Sequence, residues 1–362
     1  SSMKFGDGSD NDAFPPIPPP TEKSRLPQLL ISTEGLRLRH LQDRIFKRPV
    51  SDIRLKFYIS SQYSTSPLHL ACMDLLHSLV DDASTETVYA ASVCELFYSI
   101  CANQSGFNLR FHGFSQKLND LASYVLDVFL SFRGGEKSRS AADARFDVVL
   151  QNLRRSYKND GISVDEHCSD ARVASLIKGK VSAEELLDAL EGMTEGTFLE
   201  VVGEVLAKLS VEVLCMGNLD AKDAREFGEM VQRMLKRSVN KEAETTTTTL
   251  EGVEEGKEKG KKKKKKKGKK SPSVKLEERA AEVIVKLKEG ENVVINLRSK
   301  NPKEVNTSVE EYYQIGVDEV LTKTMVDLLT DMMAEPLFDS VRTKENFGYS
   351  VGCQPRWTSG IV

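Results

Sequence analysis

Apolar and polar residues recur with two different periods along this chain, and each period predicts one kind of secondary structure. Residues 53–59 alternate between apolar and polar side chains, which is the pattern of a strand with one buried face. Residues 68–79 repeat apolar side chains at helical spacing, and Ser66 and Pro67 before them are typical of a helix start. The same reasoning predicts further helices at 85–94, 118–129, 146–153, 198–209 and 221–237, and further strands at 96–101, 107–111 and 211–215.

A short polar turn separates two of these strands. Residues 103–106, Asn-Gln-Ser-Gly, join the strands at 96–101 and 107–111 and predict a β-hairpin. A hairpin makes neighbouring strands antiparallel, and the predicted helices are interspersed among the strands along the chain. We therefore predict an α+β fold in which a largely antiparallel sheet carries helices on one face.

The order of elements recurs near the end of the chain. A strand at 309–314 is followed by a helix at 321–332, a short helix after Pro336 and a hairpin at 347–362. Tyr98 and Tyr349 hold equivalent places in the two copies, which predicts an internal duplication of a whole domain. The second copy has no counterpart of the later helices, so we expect it to be truncated, with an incomplete core.

One polar difference separates the two copies. The residue seven positions before Tyr98 is Ala91, whereas the residue seven positions before Tyr349 is Arg342. Both Arg342 and Tyr349 can donate hydrogen bonds to a carbonyl oxygen or an oxyanion. The alternative is structural, with Arg342 as a cation at a helix C-terminus and Tyr349 as an ordinary strand aromatic. Composition and spacing by themselves favour this structural alternative.

Two stretches of biased composition divide the chain. Residues 1–24 are rich in Gly, Asp and Pro and are expected to form a tail or linker. Residues 239–273 contain almost no apolar side chains, so disorder is expected there. The remaining residues predict one domain at 25–238 and the first half of a second domain at 274–362.

Charge is unevenly distributed along the chain. A net charge of −3 conceals the lysine-rich run Lys261–Lys270, which is attached to an otherwise acidic protein. Such a run binds polyanions in a salt-dependent way, so a polyanion-binding protein is one alternative function.

The sequence also bears on where the protein is located. No apolar run is long enough to span a membrane, and no secretory signal is visible. The six cysteines are scattered, as is typical of free thiols. We expect a cytoplasmic protein without a membrane partner.

The histidines form no known metal-binding motif. Neither His-x-x-Glu-His nor His-Glu-x-x-His occurs among the five histidines. His69 and His77 lie near one helical face with Asp74 between them, an arrangement that would allow a metal site. Two histidines at the surface or boundary of a helix are the simpler interpretation. We therefore expect no metal or other cofactor in this chain.

An ordered series of short motifs resembles the insulin-degrading enzyme and nardilysin branch of the pitrilysin-type zinc metallopeptidases. The most similar piece comprises Glu335-Pro336, Phe338 and the segment from Arg342 through Tyr349. The other pieces follow the same order as in the family: Gln42-Asp43, Pro49, Pro67-Leu68-His69, Tyr89-Ala90-Ala91, Gly113-Phe114, Gly217-Asn218 and Tyr312-Tyr313-Gln314. Together they place this chain on the family's third domain and the first half of its fourth.

The resemblance implies both an architecture and a role for the candidate pair. In the family, four homologous α+β domains form two halves that enclose a chamber, and the N-terminal half holds the zinc. The C-terminal half closes the chamber and contributes an arginine and a tyrosine that contact the substrate, which would be Arg342 and Tyr349 here. The chain would then be a C-terminal-half fragment, inactive alone, whose partners are a peptide substrate and the N-terminal half. A homodimer is a further partner that the resemblance allows.

Some residues depart from the family pattern. The family usually has Gln and Leu where Asn346 and Phe347 stand, and an aromatic pair where Arg39 and His40 stand. The first departure leaves both hydrogen-bond donors in place, and the second puts the details of the first strand in doubt. A non-catalytic chamber or scaffold subunit of the same fold is the second alternative function, although such a subunit would have no use for Arg342 and Tyr349.

Overall fold

A six-stranded sheet organises the first part of the protein, as seen in a computed structural model that describes residues 26–133, 145–248, 278–357 and 360–361. The strands are β1 Gln28–Ser32, β2 Leu36–Gln42, β3 Val50–Tyr58, β4 Leu96–Asn103, β5 Gly106–Phe114 and β6 Ser210–Gly217. Their spatial order is β1-β2-β6-β3-β5-β4. Strands β2 and β6 pair in parallel, and every other neighbouring pair is antiparallel. The predicted hairpin and the largely antiparallel sheet are both confirmed.

The helices of the described residues lie between and after these strands. They are α1 Pro67–Val93, α2 Ser115–Ser131, α3 Phe146–Asn159, α4 Val164–Leu176, α5 Ala183–Ala189, α6 Glu195–Ala207, α7 Ala221–Thr248 and α8 Val320–Leu337. The prediction of separate helices at 68–79 and 85–94 was wrong, because α1 runs unbroken through both. No glycine or proline occurs within this helix after Pro67, so nothing in the sequence interrupts the backbone ladder.

One face of the sheet is buried against helices. Helix α1 packs on β4, α2 packs on β3, β4 and β5, and α7 packs on β1 and β2. The ring of Phe129 in α2 lies 5.3 Å from that of Phe57 and 5.1 Å from that of Phe107. These rings are fully buried, and burying each one contributes roughly 1.5–3 kcal/mol to folding. The predicted α+β class, with helices on one face of the sheet, is confirmed.

The other face of the sheet points away from the helices, and we call it the open face. Side chains alternate along each strand, so every second residue of β2 to β6 belongs to the open face. In β3 the residues of the open face are Asp52, Arg54, Lys56 and Tyr58, whereas their neighbours at 51, 53, 55 and 57 are buried. The open face is therefore polar and accessible.

The second segment departs from its prediction. Helix α8 confirms the predicted amphipathic helix, and the short helix predicted after Pro336 is a π-helix at Phe338–Lys344 that follows α8 directly. Residues 309–314 and 347–351 do not pair into a sheet, and Val317–Ile361 forms only an isolated bridge. A strand needs a neighbour to satisfy its backbone, and no second sheet forms among the described residues. Apolar residues of α8 such as Leu321 consequently stay exposed.

Several predictions concern residues outside the described ranges. The tail at 1–24 and the lysine-rich run Lys261–Lys270 both lie there. Helix α7 continues to Thr248, which is ten residues beyond the domain boundary expected at 238, and 249–273 are again outside the described residues. No helix in the described part of the chain is long and apolar enough to cross a membrane.

Replacing Gly106 should destabilise the sheet. Gly106 begins β5 with φ +136°, and an added Cβ would lie 1.9 Å from the carbonyl oxygen of Phe57. We expect Gly106→Ala to lower the free energy of unfolding by about 2–4 kcal/mol, measured by urea denaturation. Gly203→Ala is the matched control, because that helical glycine has no atom near a new Cβ and alanine should stabilise the protein by about 0.5–1 kcal/mol. Equal stability of the two variants would contradict the steric argument.

Candidate functional site

Arg342 and Tyr349 meet where the chain reverses direction after α8. Arg342 lies in the last turn of the π-helix, and its guanidinium carbon is 4.4 Å from the centre of the Tyr349 ring. The reversal occurs at Asn346, which adopts φ +60°, a backbone conformation that asparagine tolerates better than most residues. The amide of Phe347 then donates to the carbonyl of Val341 at 3.1 Å, which closes the turn.

This pair retains its hydrogen-bonding capacity. Tyr349 is 87% exposed, and within the described residues neither its hydroxyl nor the Arg342 guanidinium makes a hydrogen bond or ion pair. The cation–π contact orients the two side chains together at an exposed site, where such a contact contributes about 0.5–1 kcal/mol. The arrangement offers a phenolic donor and a planar guanidinium side by side, which suits a peptide carbonyl or a developing oxyanion.

Tyr98 does not share this environment. Its hydroxyl donates to the Asp81 carboxylate in α1, and its ring stacks 6.2 Å from Phe111. Burial and the Asp81 charge both raise the pKa of Tyr98, which keeps its hydroxyl protonated. The two tyrosines hold equivalent places in the sequence, yet Tyr98 is a structural residue in a sheet and Tyr349 is an exposed donor beside a cation.

Glu310 connects the candidate pair to the first domain. Its carboxylate accepts hydrogen bonds from Arg172 Nε at 2.7 Å and from Ser169 Oγ at 3.2 Å, both in α4. Arg356, which follows Tyr349 in the chain, approaches the same carboxylate at 3.6 Å. The Arg172 side chain is only 11% exposed, so this ion pair is well shielded from water. Glu310 was not predicted as a functional residue, because no local sequence pattern marks a residue whose partner lies 138 positions earlier.

A second ion pair fixes the chain where it returns after the insertion. Arg279 donates to Glu212 of β6 at 2.8 Å and lies 4.4 Å over the Tyr58 ring. Burial raises the pKa of the Glu212 carboxyl, but the donors Arg279 and Tyr58 together outweigh it and leave that pKa below its ordinary value. The amide of Ala280 also donates to the carbonyl of Ile59. Residues 279 and 280 are thereby attached to one end of the sheet, whereas residues 283–285 pair with residues 176–178.

The structure gives each candidate metal-binding residue of α1 a separate partner. His69 stacks on Tyr63 and hydrogen-bonds Ser66, while burial lowers its pKa. His77 contacts Asp81 at 3.1 Å, and that hydrogen bond raises the pKa of His77. Asp74 instead accepts a hydrogen bond from Tyr157 at 2.6 Å. Across the described ranges, no group of three or more His, Cys, Asp or Glu residues could hold a metal ion.

Comparisons with known proteins agree with the resemblance. The family model for the middle or third domain of peptidase M16 matches residues 13–189. A nardilysin-like protein of Arabidopsis thaliana is 25% identical over 335 residues, which cover 92% of this chain and 29% of that protein. Insulin-degrading enzyme of Drosophila melanogaster is 25% identical over 346 residues, which cover 94% of this chain and 31% of that enzyme. The crystal structure of pitrilysin aligns with 60% of this chain and 22% of its own, at 19% identity and a TM-score of 0.45. The chain thus spans less than a third of the length of these two curated relatives.

Removing Glu310 should loosen the attachment of the second segment. Glu310→Ala leaves Arg172 shielded without its carboxylate, and a charged hydrogen bond of this kind contributes about 1.5–3 kcal/mol. We expect chymotrypsin to cleave at Tyr312 and Tyr313 at least about tenfold faster, because cleavage follows the population of the detached segment. Glu311→Ala is the control, since Glu311 contacts only the exposed Tyr313 hydroxyl among the described residues. Equal cleavage of both variants would show that Glu310 is not an anchor.

Proposed function

We propose that this chain is part of the C-terminal half of a zinc metalloendopeptidase of the peptidase M16 family, because the model for the middle or third domain of that family matches residues 13–189. The relatives named nardilysin-like and insulin-degrading enzyme align with more than nine-tenths of the chain, which supports this assignment. In this proposal the half closes a chamber around a peptide substrate and contacts it, and the N-terminal half carries the zinc. The described residues of this chain bring together no ligands that fit zinc, so its own contribution is to bind and orient the peptide.

The juxtaposition of Arg342 and Tyr349 is the observation that carries the proposal. A peptide carbonyl gains negative charge on its oxygen as it is attacked, and the phenolic hydroxyl of Tyr349 can donate to that oxygen. The Arg342 guanidinium presents a planar fork of donors that suits backbone carbonyls and holds the peptide in register. The 4.4 Å contact between the two side chains lets one peptide reach both donors.

Tyr349→Phe tests the proposed role of the hydroxyl in the complete enzyme. Loss of a donor to the developing oxyanion should lower kcat by about 10²-fold, with a much smaller change in KM. The phenyl ring keeps the contact with Arg342, so the fold should be unaffected. Tyr313→Phe is the control, because Tyr313 is exposed and its hydroxyl contacts only Glu311 among the described residues. Unchanged kcat, or equal losses in binding and turnover, would refute a transition-state role.

Mixing experiments test the division of the enzyme into halves. We expect the 362-residue chain alone to cleave no peptide and to hold no stoichiometric zinc after dialysis. Adding a separately produced N-terminal half that carries His-x-x-Glu-His should restore cleavage of a fluorogenic peptide, and a chelator should abolish it. The N-terminal half with its glutamate replaced by glutamine is the control and should restore nothing. Chelator-sensitive cleavage by the chain alone would overturn the proposal.

A further inference from the structure

The open face of the sheet is cationic, although the whole chain has a net charge of −3. Its cations are Arg37, Arg39, Arg54, Lys56 and Arg110. The acidic side chains among them are Asp52, which accepts hydrogen bonds from Arg54 and Arg110, and Glu212, which is bound by Arg279. The side chains of Arg54 and Arg110 are about half exposed, at 54% and 47%. Positive charge therefore remains in excess on an accessible surface.

An apolar cavity of about 400 Å³ opens at one end of this face. Its walls include Phe97 and Phe114, which are 42% and 45% exposed, together with Met216 and His112. The edge-to-face contact of Phe97 with His112, at 5.1 Å, holds one wall in place. Gly217 lies at the margin with φ +98°, and a Cβ there would lie 2.5 Å from the Val50 carbonyl oxygen. A bulky apolar side chain is the group that this cavity fits.

The cavity and the cations are spaced like the side chains of an extended peptide. Asp52, His112 and Phe97 occupy one cross-strand row beside the cavity. The next row on the open face holds Arg39, Arg54 and Arg110. The row after it holds Arg37 and Lys56 on either side of Glu212, whose carboxylate is paired with Arg279 and approached by Arg37. Rows on one face are about 6.6 Å apart, because each strand residue rises about 3.3 Å. An extended peptide lying along β3 repeats its side chains at the same spacing.

The charges around the cavity determine which end of such a peptide enters it. Glu95 and Asp52 line the cavity, so an acidic side chain is repelled there. Acidic side chains two and four positions away would instead reach the row of Arg54 and then the row of Lys56. The cavity lies at the end of the face away from Tyr58, whereas Arg279 and Ala280 contact the end near Tyr58. The apolar side chain in the cavity would hold the peptide in place, and the opposite charges would fix its alignment along the strands.

We propose that the open face of the sheet is a binding site for an extended acidic peptide. The peptide carries a bulky apolar residue, seated against Phe97 and Phe114, with Asp or Glu at two and four positions from it facing the cationic rows. This site lies in the first domain and includes neither Arg342 nor Tyr349, so it does not rest on the proposed function. A single-stranded nucleic acid is the competing occupant, because its bases stack on exposed aromatic side chains such as Phe97 and Phe114. It carries a phosphate at every nucleotide, which Asp52 and Glu95 beside the cavity would repel, whereas a peptide can place its acidic side chains away from them.

Fluorescence anisotropy of labelled peptides with the full chain tests the site. The probes are Phe-Ser-Glu-Ser-Glu and its reverse order, each extended with Gly-Ser at both ends. The control peptides replace Phe with Ser, or both Glu residues with Lys. Each control peptide should bind at least about fivefold more weakly than the probe from which it is derived. Binding of both probes should also weaken as salt is added. Equal binding of the Phe and Ser peptides would overturn the proposal, because a polycation without a cavity does not discriminate between them.

Matched variants locate the binding on the open face. Arg39→Glu and Phe97→Ser should each weaken binding about five- to tenfold. Arg155→Glu makes the same change of charge on the exposed surface of α3, and Val148→Ser makes a similar polar replacement there, so both should bind like the parent. Circular dichroism checks that the variants are folded. If Arg39→Glu and Arg155→Glu bound the peptide equally, the open face would not be the site.

The lysine-rich run requires its own control, because it also attracts acidic peptides. Deleting residues 256–270 should leave the Phe-dependent binding unchanged. If the deletion abolished peptide binding while Arg39→Glu still bound the peptide, the lysine-rich run would be the binding site and the proposal would be overturned. The proposal would also be overturned if a single-stranded oligonucleotide displaced the probe as effectively as unlabelled peptide and bound Phe97→Ser as tightly as the parent.

Discussion

Burial of one face of the sheet is the constraint on which the rest of the molecule depends. The contacts of Phe129 with Phe57 and Phe107 fix which side of β3 and β5 faces the helices. Because side chains alternate along a strand, the same contacts direct Arg54 and Arg110 outward. A slip of one residue in register would bury both arginines and expose the phenylalanines. The chemistry of the open face is thus a consequence of how the core is packed, and neither can change alone.

The second segment is held by a different kind of interaction. Within the described residues α8 has no sheet to cover, so the apolar contribution that stabilises the first domain is missing there. Ion pairs take its place at Arg279–Glu212 and Arg172–Glu310, both partly shielded from solvent. Partly buried charged pairs stabilise a fold little more than apolar residues of similar size would, since desolvation offsets much of their attraction. Removing one partner is nevertheless costly, because it leaves the other charge shielded and unpaired. The position of Arg342 and Tyr349 relative to the first domain therefore depends on directional contacts rather than on an extensive core.

Local periodicity was sufficient to predict much of the first domain and very little of the site. The hairpin around Ser105 and the helix after Pro67 follow from residues adjacent in sequence, and both are confirmed. The strand expected at 309–314 did not form, because a strand also needs a partner that no local pattern supplies. Contacts such as Arg110 with Asp52 depend on register between distant residues and were invisible in the sequence. Arg342 and Tyr349 were identified through resemblance, and their proximity also depends on the left-handed turn at Asn346.

The two proposed binding elements would affect catalysis in different ways. A peptide held on the open face would make the same contacts before and during bond cleavage, because the proposed site includes neither Arg342 nor Tyr349. Such uniform binding lowers KM without raising kcat. In the proposed enzyme the hydroxyl of Tyr349 would instead donate to an oxygen whose charge grows only as the bond breaks, so its contribution would appear in kcat. Under these two proposals, substitutions at Arg39 or Phe97 would change which peptides are captured without altering the chemistry at the cleaved bond.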